Sequence, residues 1–186
     1  MELWVFSSKT WENVNIGYEH RLWAVAESLI QRRTTRSALM EVHSRGILWD
    51  VERQGFTMPF RTLSPADQKR KVHNVWPDKE PWVLPFEIQP LASPTTRAGK
   101  QHVKQNWLLI TRLLDGGRQF PNPVYGIGGL TVFHPITLFE SEWRQILTDC
   151  GGDEAVAEDR KFSEPLGSSE VLRLSYNAKL TAKGKT

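Results

Sequence analysis

The sequence predicts a mixed α+β domain, a small curved sheet or barrel flanked by helices. Short segments rich in strand formers recur from Leu3 to Leu91, and segments with helical spacing are interspersed among them. The two kinds do not alternate as they would in a βαβ protein. At 186 residues, 39% apolar and 24% charged, the chain is long enough for one well-buried core and a tail. This reading places a domain over residues 1–148. A flexible tail or linker follows over 149–186, where the composition turns acidic and small, then basic.

The elements follow in order. Leu3 to Ser7 reads as a first strand, and the segment from Trp11 to Tyr18 as a loop or short helix. Arg21 to Ala26 leads into Glu27 to Met40, where Ala26, Leu29, Ile30, Arg33 and Ser37 fall on neighbouring helical turns. Gly46 to Val51 and Gly55 to Arg61 read as strands, the second with Pro59 near an edge or bend. Ser64-Pro65 has the signature of a helix start and predicts a basic helix to about Lys71. Asn74 to Pro85 holds three prolines and two tryptophans, too stiff for a helix and too interrupted for a central strand, so it is a structured loop. Phe86 to Leu91 alternates like a strand, and His102 to Leu114 is a helix or strand ended by Asp115-Gly-Gly. Residues 121–129 are rich in Gly and Pro, and Pro135 opens a last amphipathic helix.

Composition narrows the function. A single cysteine, Cys150, allows no intrachain disulfide and no cysteine-based zinc site, and fits a reducing compartment. No secretory leader or membrane-length apolar run is present, so a cytoplasmic protein is expected. His20, His43, His73, His102 and His134 lack metal-site spacing, and there is neither a nucleophile elbow nor a phosphate-binding loop. Neither metal nor cofactor is expected. Gly126-Ile-Gly-Gly is half of a dinucleotide fingerprint in the wrong context. Asp50, Glu52, Asp67 and Asp78 keep one enzymatic alternative open, a small carboxylate-dependent nuclease. A protein-interaction domain with core tryptophans is a third option.

Eight tryptophans are the departure from average composition. An unstacked base presents two apolar faces and a polar edge, so a protein that holds one needs flat aromatic walls and a few hydrogen-bonding groups. Trp76 and Trp82 stand in the stiff loop, where Pro77 and Pro81 limit their collapse. Pocket walls and core plugs are both open readings for this pair, and likewise for Trp23. The formal charge of +3 permits a polyanionic partner, and the local groups Arg32, Arg33, Arg36 and Lys69, Arg70, Lys71 would meet its phosphates.

The order of these residues resembles a YTH domain. Trp4-Val-Phe-Ser-Ser-Lys-Thr-Trp-Glu-Asn-Val, then Leu22-Trp23-Ala24, is similar to the family's opening, and Trp76-Pro-Asp-Lys-Glu-Pro-Trp82-Val-Leu-Pro-Phe86 to its two-tryptophan loop. Arg112-Leu-Leu-Asp-Gly-Gly, Asn122-Pro-Val and Pro135-Ile-Thr-Leu-Phe-Glu resemble its C-terminal half. The stretch from Arg45 to Asn74 follows the family loosely, and Tyr125-Gly-Ile-Gly-Gly-Leu lacks the acidic residue the family carries before its last helix. The resemblance implies a fold related to EVE and PUA-like modules and capture of a flipped N6-methyladenine without catalysis. Trp23, Trp76 and Trp82 would be the walls, Asn13 would bond a ring nitrogen, and the backbone around Ser8, Lys9 and Ala24 would meet the base edge, with the Ala24 carbonyl accepting the methylamino N–H. Similar domains begin prokaryotic McrB-type restriction proteins, which implies methylated DNA as partner, with a GTP-driven motor domain and a nuclease subunit beyond it. Modified cytosine in DNA and methyladenine in RNA are the alternatives within the class. Arg33→Ala is expected to lower affinity for modified and unmodified oligonucleotides alike and to flatten the salt dependence of binding; an unchanged slope removes Arg33 from the phosphate contacts.

Overall fold

Every side chain from Leu3 to Phe6 is buried, so the first strand, β1 (Glu2–Ser8), must be covered on both faces. Alternation then divides its residues between two cores: Leu3 and Val5 join one, Trp4 and Phe6 the other. A computed structural model describes residues 1–30, 40–116 and 135–163. After β1 come α1 (Trp11–His20), β2 (Leu22–Ala26), α2 (Glu27–Ile30), β3 (Arg45–Asp50), β4 (Gly55–Thr62), β5 (Lys71–Val72) and β6 (Trp82–Pro90). Then follow β7 (Arg97–Gly99), α3 (Lys100–Asn106), α4 (Leu108–Asp115), β8 (Ile136–Thr137) and α5 (Glu140–Arg160).

The strands form one open, curved sheet in the order β2-β6-β4-β3-β1-β8, with β5 also on β6 and β7 also on β4. Of the described pairs, β1 with β3 is parallel and the others are antiparallel. The mixed α+β expectation holds. Curvature comes from strands that change partners along their length. The start of β6 sets Trp82 opposite both Ala26 and Val72, while its end sets Ile88 opposite Thr62 of β4. Two bulges add to it with the same device, Met58-Pro59 in β4 and Leu84-Pro85 in β6. At each, the residue before proline has positive φ, 49° at Met58 and 54° at Leu84, and the proline adds no N–H to the ladder. Pro59 thus marks a bend, inside an interior strand.

One core lies under α3, α4 and α5, where Trp107, Trp143, Ile146 and Cys150 pack on Val5, Ile47, Trp49 and Phe56. The indoles of Trp107 and Trp143 each find a carboxylate, Asp149 at 2.8 Å and Asp159 at 2.9 Å. Asp159 also accepts from Arg61 Nε at 2.7 Å, and both side chains are buried. Burial works against the charge of Glu142, yet its hydrogen bonds from Arg112 and the Phe139 N–H hold its pKa below the usual carboxylate value. That pairing ties α4 to the start of α5.

Several segments differ from expectation. Leu22 to Ala26 is a strand, because its apolar residues pair with β6. The helix expected from 27 to 40 is present over Glu27–Ile30, and 31–39 lie outside the described residues. No helix follows Ser64-Pro65: Ser64 Oγ accepts from the Glu87 N–H, Asp67 Oδ1 accepts from the N–H groups of Lys69 and Arg70, and the Asp67 N–H donates to Pro85 O. The capping side chains are spent on a turn against β6. The 102–114 segment is two helices broken at Trp107, whose ψ is 122°. Ile136 and Thr137 pair with the edge of β1, so the last helix starts at Glu140. It kinks at Gly152 and continues to Arg160. The 148/149 boundary therefore falls inside a helix whose Cys150, Ala155 and Asp159 are buried. The Gly/Pro-rich 121–129 segment lies outside the described residues.

Asp159→Ala is expected to lower stability in urea unfolding by about 3–5 kcal/mol, since it strands the Arg61 guanidinium in the core. Asp153→Ala, at an exposed position of the same helix, is expected to have little effect. Equal effects would contradict the packing of α5 past residue 148.

Candidate functional site

The second core gathers Trp23, Trp76 and Trp82 with Phe6, Phe60 and Phe86. Trp23 comes from β2, Trp82 from the start of β6 and Trp76 from the loop over residues 73–81. The rings of Trp76 and Trp82 are stacked, with centroids 4.4 Å apart and planes at 28°. Trp23 stands edge-on to both, at 5.6 Å and 76° from Trp76 and at 6.0 Å and 77° from Trp82. Two near-parallel walls and a perpendicular third are the geometry of an aromatic cage, here closed on itself. A base between two rings needs roughly 7 Å, twice the ~3.5 Å contact distance of carbon atoms.

The cavity beside the indoles is accordingly small, about 30 Å³, and is lined by Phe6, Ser7, Lys9, Asn13, Trp23, Ala24, Trp82 and neighbouring residues. That is room for about one water. The structure therefore brings five of the seven expected base-contacting residues to one cavity. Trp76 does not line it but stacks on Trp82, its Nε1 donating to Asn13 O at 3.0 Å. Ser8 is buried in the β1–β3 ladder with its hydroxyl donating to Thr10 O, and it is Ser7 that reaches the cavity.

Local structure explains each position. Thr10 caps α1 by accepting from the Asn13 N–H, which places Asn13 in the first turn, buried, facing the loop. A Cβ on Gly17, one turn further, would stand 2.6 Å from the Trp23 ring. Glycine there lets α1 lie against the indole. Ala24 sits at the β2–β6 bulge, opposite Leu84 and Pro85, and Pro85 has no N–H to offer the strand beside it.

The polar side of the cavity is rich in acceptors. Asp78 and Glu80, both on the 73–81 loop, line it. Asn13 Nδ2 donates to Asp78 Oδ2 at 3.2 Å, and Asn13 Oδ1 is buried with no partner among the described residues. Trp82 Nε1 is likewise buried without one. Glu80 Oε2 accepts from the Ser28 N–H at 3.1 Å, and hydrogen bonding from Ser28 holds its pKa below the usual value. Buried unpaired polar atoms are uncommon in native proteins, and two on residues of one cavity single it out as the candidate site. Sequence reasoning missed Asp78 and Glu80 as pocket residues, although their alternation between two tryptophans in a stiff loop was visible. Nothing local marked Gly17.

Lys69 and Arg70 are exposed on the turn before β5. Lys71 is on β5 and pairs with Glu27 at 2.6 Å, so part of its charge is already answered. Arg32, Arg33 and Arg36 lie outside the described residues. Of the nuclease candidates, Asp50 pairs with Arg53, Glu52 accepts from the Trp11 N–H, Asp67 holds its turn and Asp78 holds Asn13. Among the described residues no group of three His, Cys, Asp or Glu could hold a metal ion.

The fold is that of the YTH domains. The chain is similar to the Pho92 YTH domain, solved in complex with m6A, at 12% identity over 79% of this chain and 81% of that one, with a TM-score of 0.50. It is also similar to the Mmi1 YTH domain, at 10% identity over 80% and 93% and a TM-score of 0.47. A further similar structure is the Toxoplasma CPSF4 YTH domain with a 7-mer m6A-modified RNA, at 14% identity over 55% of this chain and a TM-score of 0.41. The chain spans 66% of the length of that Toxoplasma domain. No protein-family model matches the chain, and no curated protein does.

Gly17→Ala is expected to push the Trp23 ring from its place, at a cost of about 1–3 kcal/mol in urea unfolding, as for other overpacked cores. A stability within 0.5 kcal/mol of the parent, roughly the scatter of surface substitutions, would contradict the close approach of α1 to the indole.

Proposed function

We propose that this chain is a binding module that captures one N6-methyladenine, flipped from nucleic acid, between Trp23, Trp76 and Trp82. The observation that supports it most is the set of three indoles at cage angles beside a buried, unpartnered Asn13 acceptor. The m6A bound to the similarly folded Pho92 domain favours the same base. The resemblance gives the methylamino N–H to the Ala24 carbonyl, which lies at a bulge where the neighbouring strand offers a proline.

Binding exchanges one indole–indole contact for two indole–base contacts. The self-stack is worth about 0.5–1.5 kcal/mol and base stacking about 1–3 kcal/mol per base, so the exchange is favourable but small. Moving Trp76 would break its buried bond to Asn13 O, a further ~0.5–1.5 kcal/mol, whereas the Trp82 ring has no such bond to lose. Trp82 is therefore the wall that swings. Burying the methyl group adds only about 0.8 kcal/mol, roughly fourfold in affinity. Selectivity needs the lower cost of flipping a methylated, weakly paired base, together with the polar edge.

The finer proposal is that the nucleic acid is DNA and that the module targets a McrB-type restriction system, with motor and nuclease functions outside it. The order of residues Trp4 to Val14, Trp23, Trp76 and Trp82 carries the resemblance from which this finer reading is drawn. Lys69, Arg70 and Lys71, beside β6, and Arg32, Arg33 and Arg36 would hold phosphates without reading sequence.

Competition among matched DNA and RNA oligonucleotides carrying N6-methyladenine, 5-methylcytosine or no modification tests the reading. N6-methyladenine DNA is expected to win by tens-fold over unmodified DNA, and Trp23→Ala to erase that margin while leaving salt-sensitive background binding. A preference for methylcytosine or for RNA would replace the base or the polymer. Equal binding of all oligonucleotides would end the proposal.

A further inference from the structure

The carboxamide of Asn13 has a donating end and an accepting end, and Asp78 decides which of them is left without a partner. A carboxylate accepts only, so the amide must turn its NH₂ toward Asp78 Oδ2, as observed at 3.2 Å. The opposite orientation would set two acceptors against each other. Asn13 Oδ1 is thereby left buried and unpartnered on a residue that lines the cavity. The backbone of Asn13 is fixed independently, its N–H on Thr10 Oγ1 and its carbonyl under Trp76 Nε1. Only the side-chain amide answers to Asp78.

We infer that Asp78 is the specificity-determining positioning residue of the pocket: it locks Asn13 so that Oδ1 accepts an N–H from the captured base. The ligand class follows. The base must present an N–H donor toward Asn13 alongside its stacked faces, as N6-methyladenine does with its single exocyclic N–H and N6,N6-dimethyladenine does not. Asn13 Oδ1 then takes the single exocyclic N–H that the family resemblance gives to the Ala24 carbonyl, whereas the same resemblance makes Asn13 a donor to a ring nitrogen. Glu80 and the Ala24 carbonyl give the same cavity further acceptors, and Lys9 supplies a counter-charge at its exposed side. This inference rests on the base-reading function proposed above.

A polarity swap separates the two roles. Asn13→Asp sets two carboxylates face to face and is expected to weaken binding of a single-stranded DNA oligonucleotide carrying one N6-methyladenine by about tenfold or more. Adding Asp78→Asn restores the bond between the two side chains with its direction reversed and leaves a carboxylate oxygen of residue 13 as acceptor. The double variant is expected to recover binding to within a few-fold of the parent. Were Asn13 a donor to a ring nitrogen, no recovery is possible, because a carboxylate at position 13 carries no N–H; a swap that melts like the parent yet binds as weakly as the single variant overturns the inference. The parent protein gives a second measurement that needs no variant. It is expected to bind the N6,N6-dimethyladenine oligonucleotide about tenfold more weakly than the N6-methyladenine one, and equal affinities overturn the inference. A parent that shows no preference for N6-methyladenine over adenine overturns the base-reading function itself, a distinct result.

Discussion

Three indoles, two stacked and one edge-on, hold β2, the 73–81 loop and the start of β6 together, and the curved end of the sheet depends on that contact. They are core, and in the proposed function they are also the site. In the closed state they satisfy one another, which keeps three large apolar surfaces out of water. A flat ligand that separates two of them restores the same burial with its own faces. The same economy accounts for the small cavity, since an open slot of base width would leave indole faces exposed or hydrated.

The other tryptophans show why composition alone misleads. Trp4 and Trp49 are sheet core, and Trp107 and Trp143 pin helices to the sheet through carboxylates on α5. What distinguishes the cage indoles is their setting. Pro77 and Pro81 stiffen the loop, Leu84-Pro85 opens the ladder at Ala24, and Gly17 admits the Trp23 ring. Each removes something an ordinary core would supply: chain flexibility, a ladder hydrogen bond, a Cβ.

Much of this was legible in the sequence because it is local. The first strand, the strands β3 and β4, the stiff loop as far as Pro81 and the order of the tryptophans rest on neighbouring residues, whereas Trp82 to Pro85, expected in that loop, begin β6. Errors came where tertiary pairing overrode local signals. Leu22 to Ala26 carried no decisive period and became a strand by lying beside β6; Ser64 and Asp67 had helix-start chemistry but found partners on β6 first. The acidic, glycine-bearing stretch after Asp149 looked like a tail, yet Asp159 answers a buried arginine 98 positions away in sequence. The Asn13–Asp78 bond, across 65 positions, likewise has no local signature. Of the residues expected to share a site, five line one cavity, whereas the bond that orients the Asn13 amide has no trace in the sequence around it.

The pocket's acceptors also bear on how a polyanion would approach. Asp78 and Glu80 repel phosphate, so a nucleic acid can bring its uncharged base to the cavity only if cations hold its backbone elsewhere. The exposed Lys69 and Arg70 lie on the turn leading into β5, one strand from Trp82. A base would enter from a backbone held at that side.

The most direct measurement is a structure of the chain with an oligonucleotide carrying N6-methyladenine. The base is expected between Trp76 and Trp82, with the two rings moved from 4.4 Å to roughly 7 Å apart and Trp23 edge-on to the base. A complex in which the two rings remain stacked on each other, with the base bound elsewhere, would contradict it.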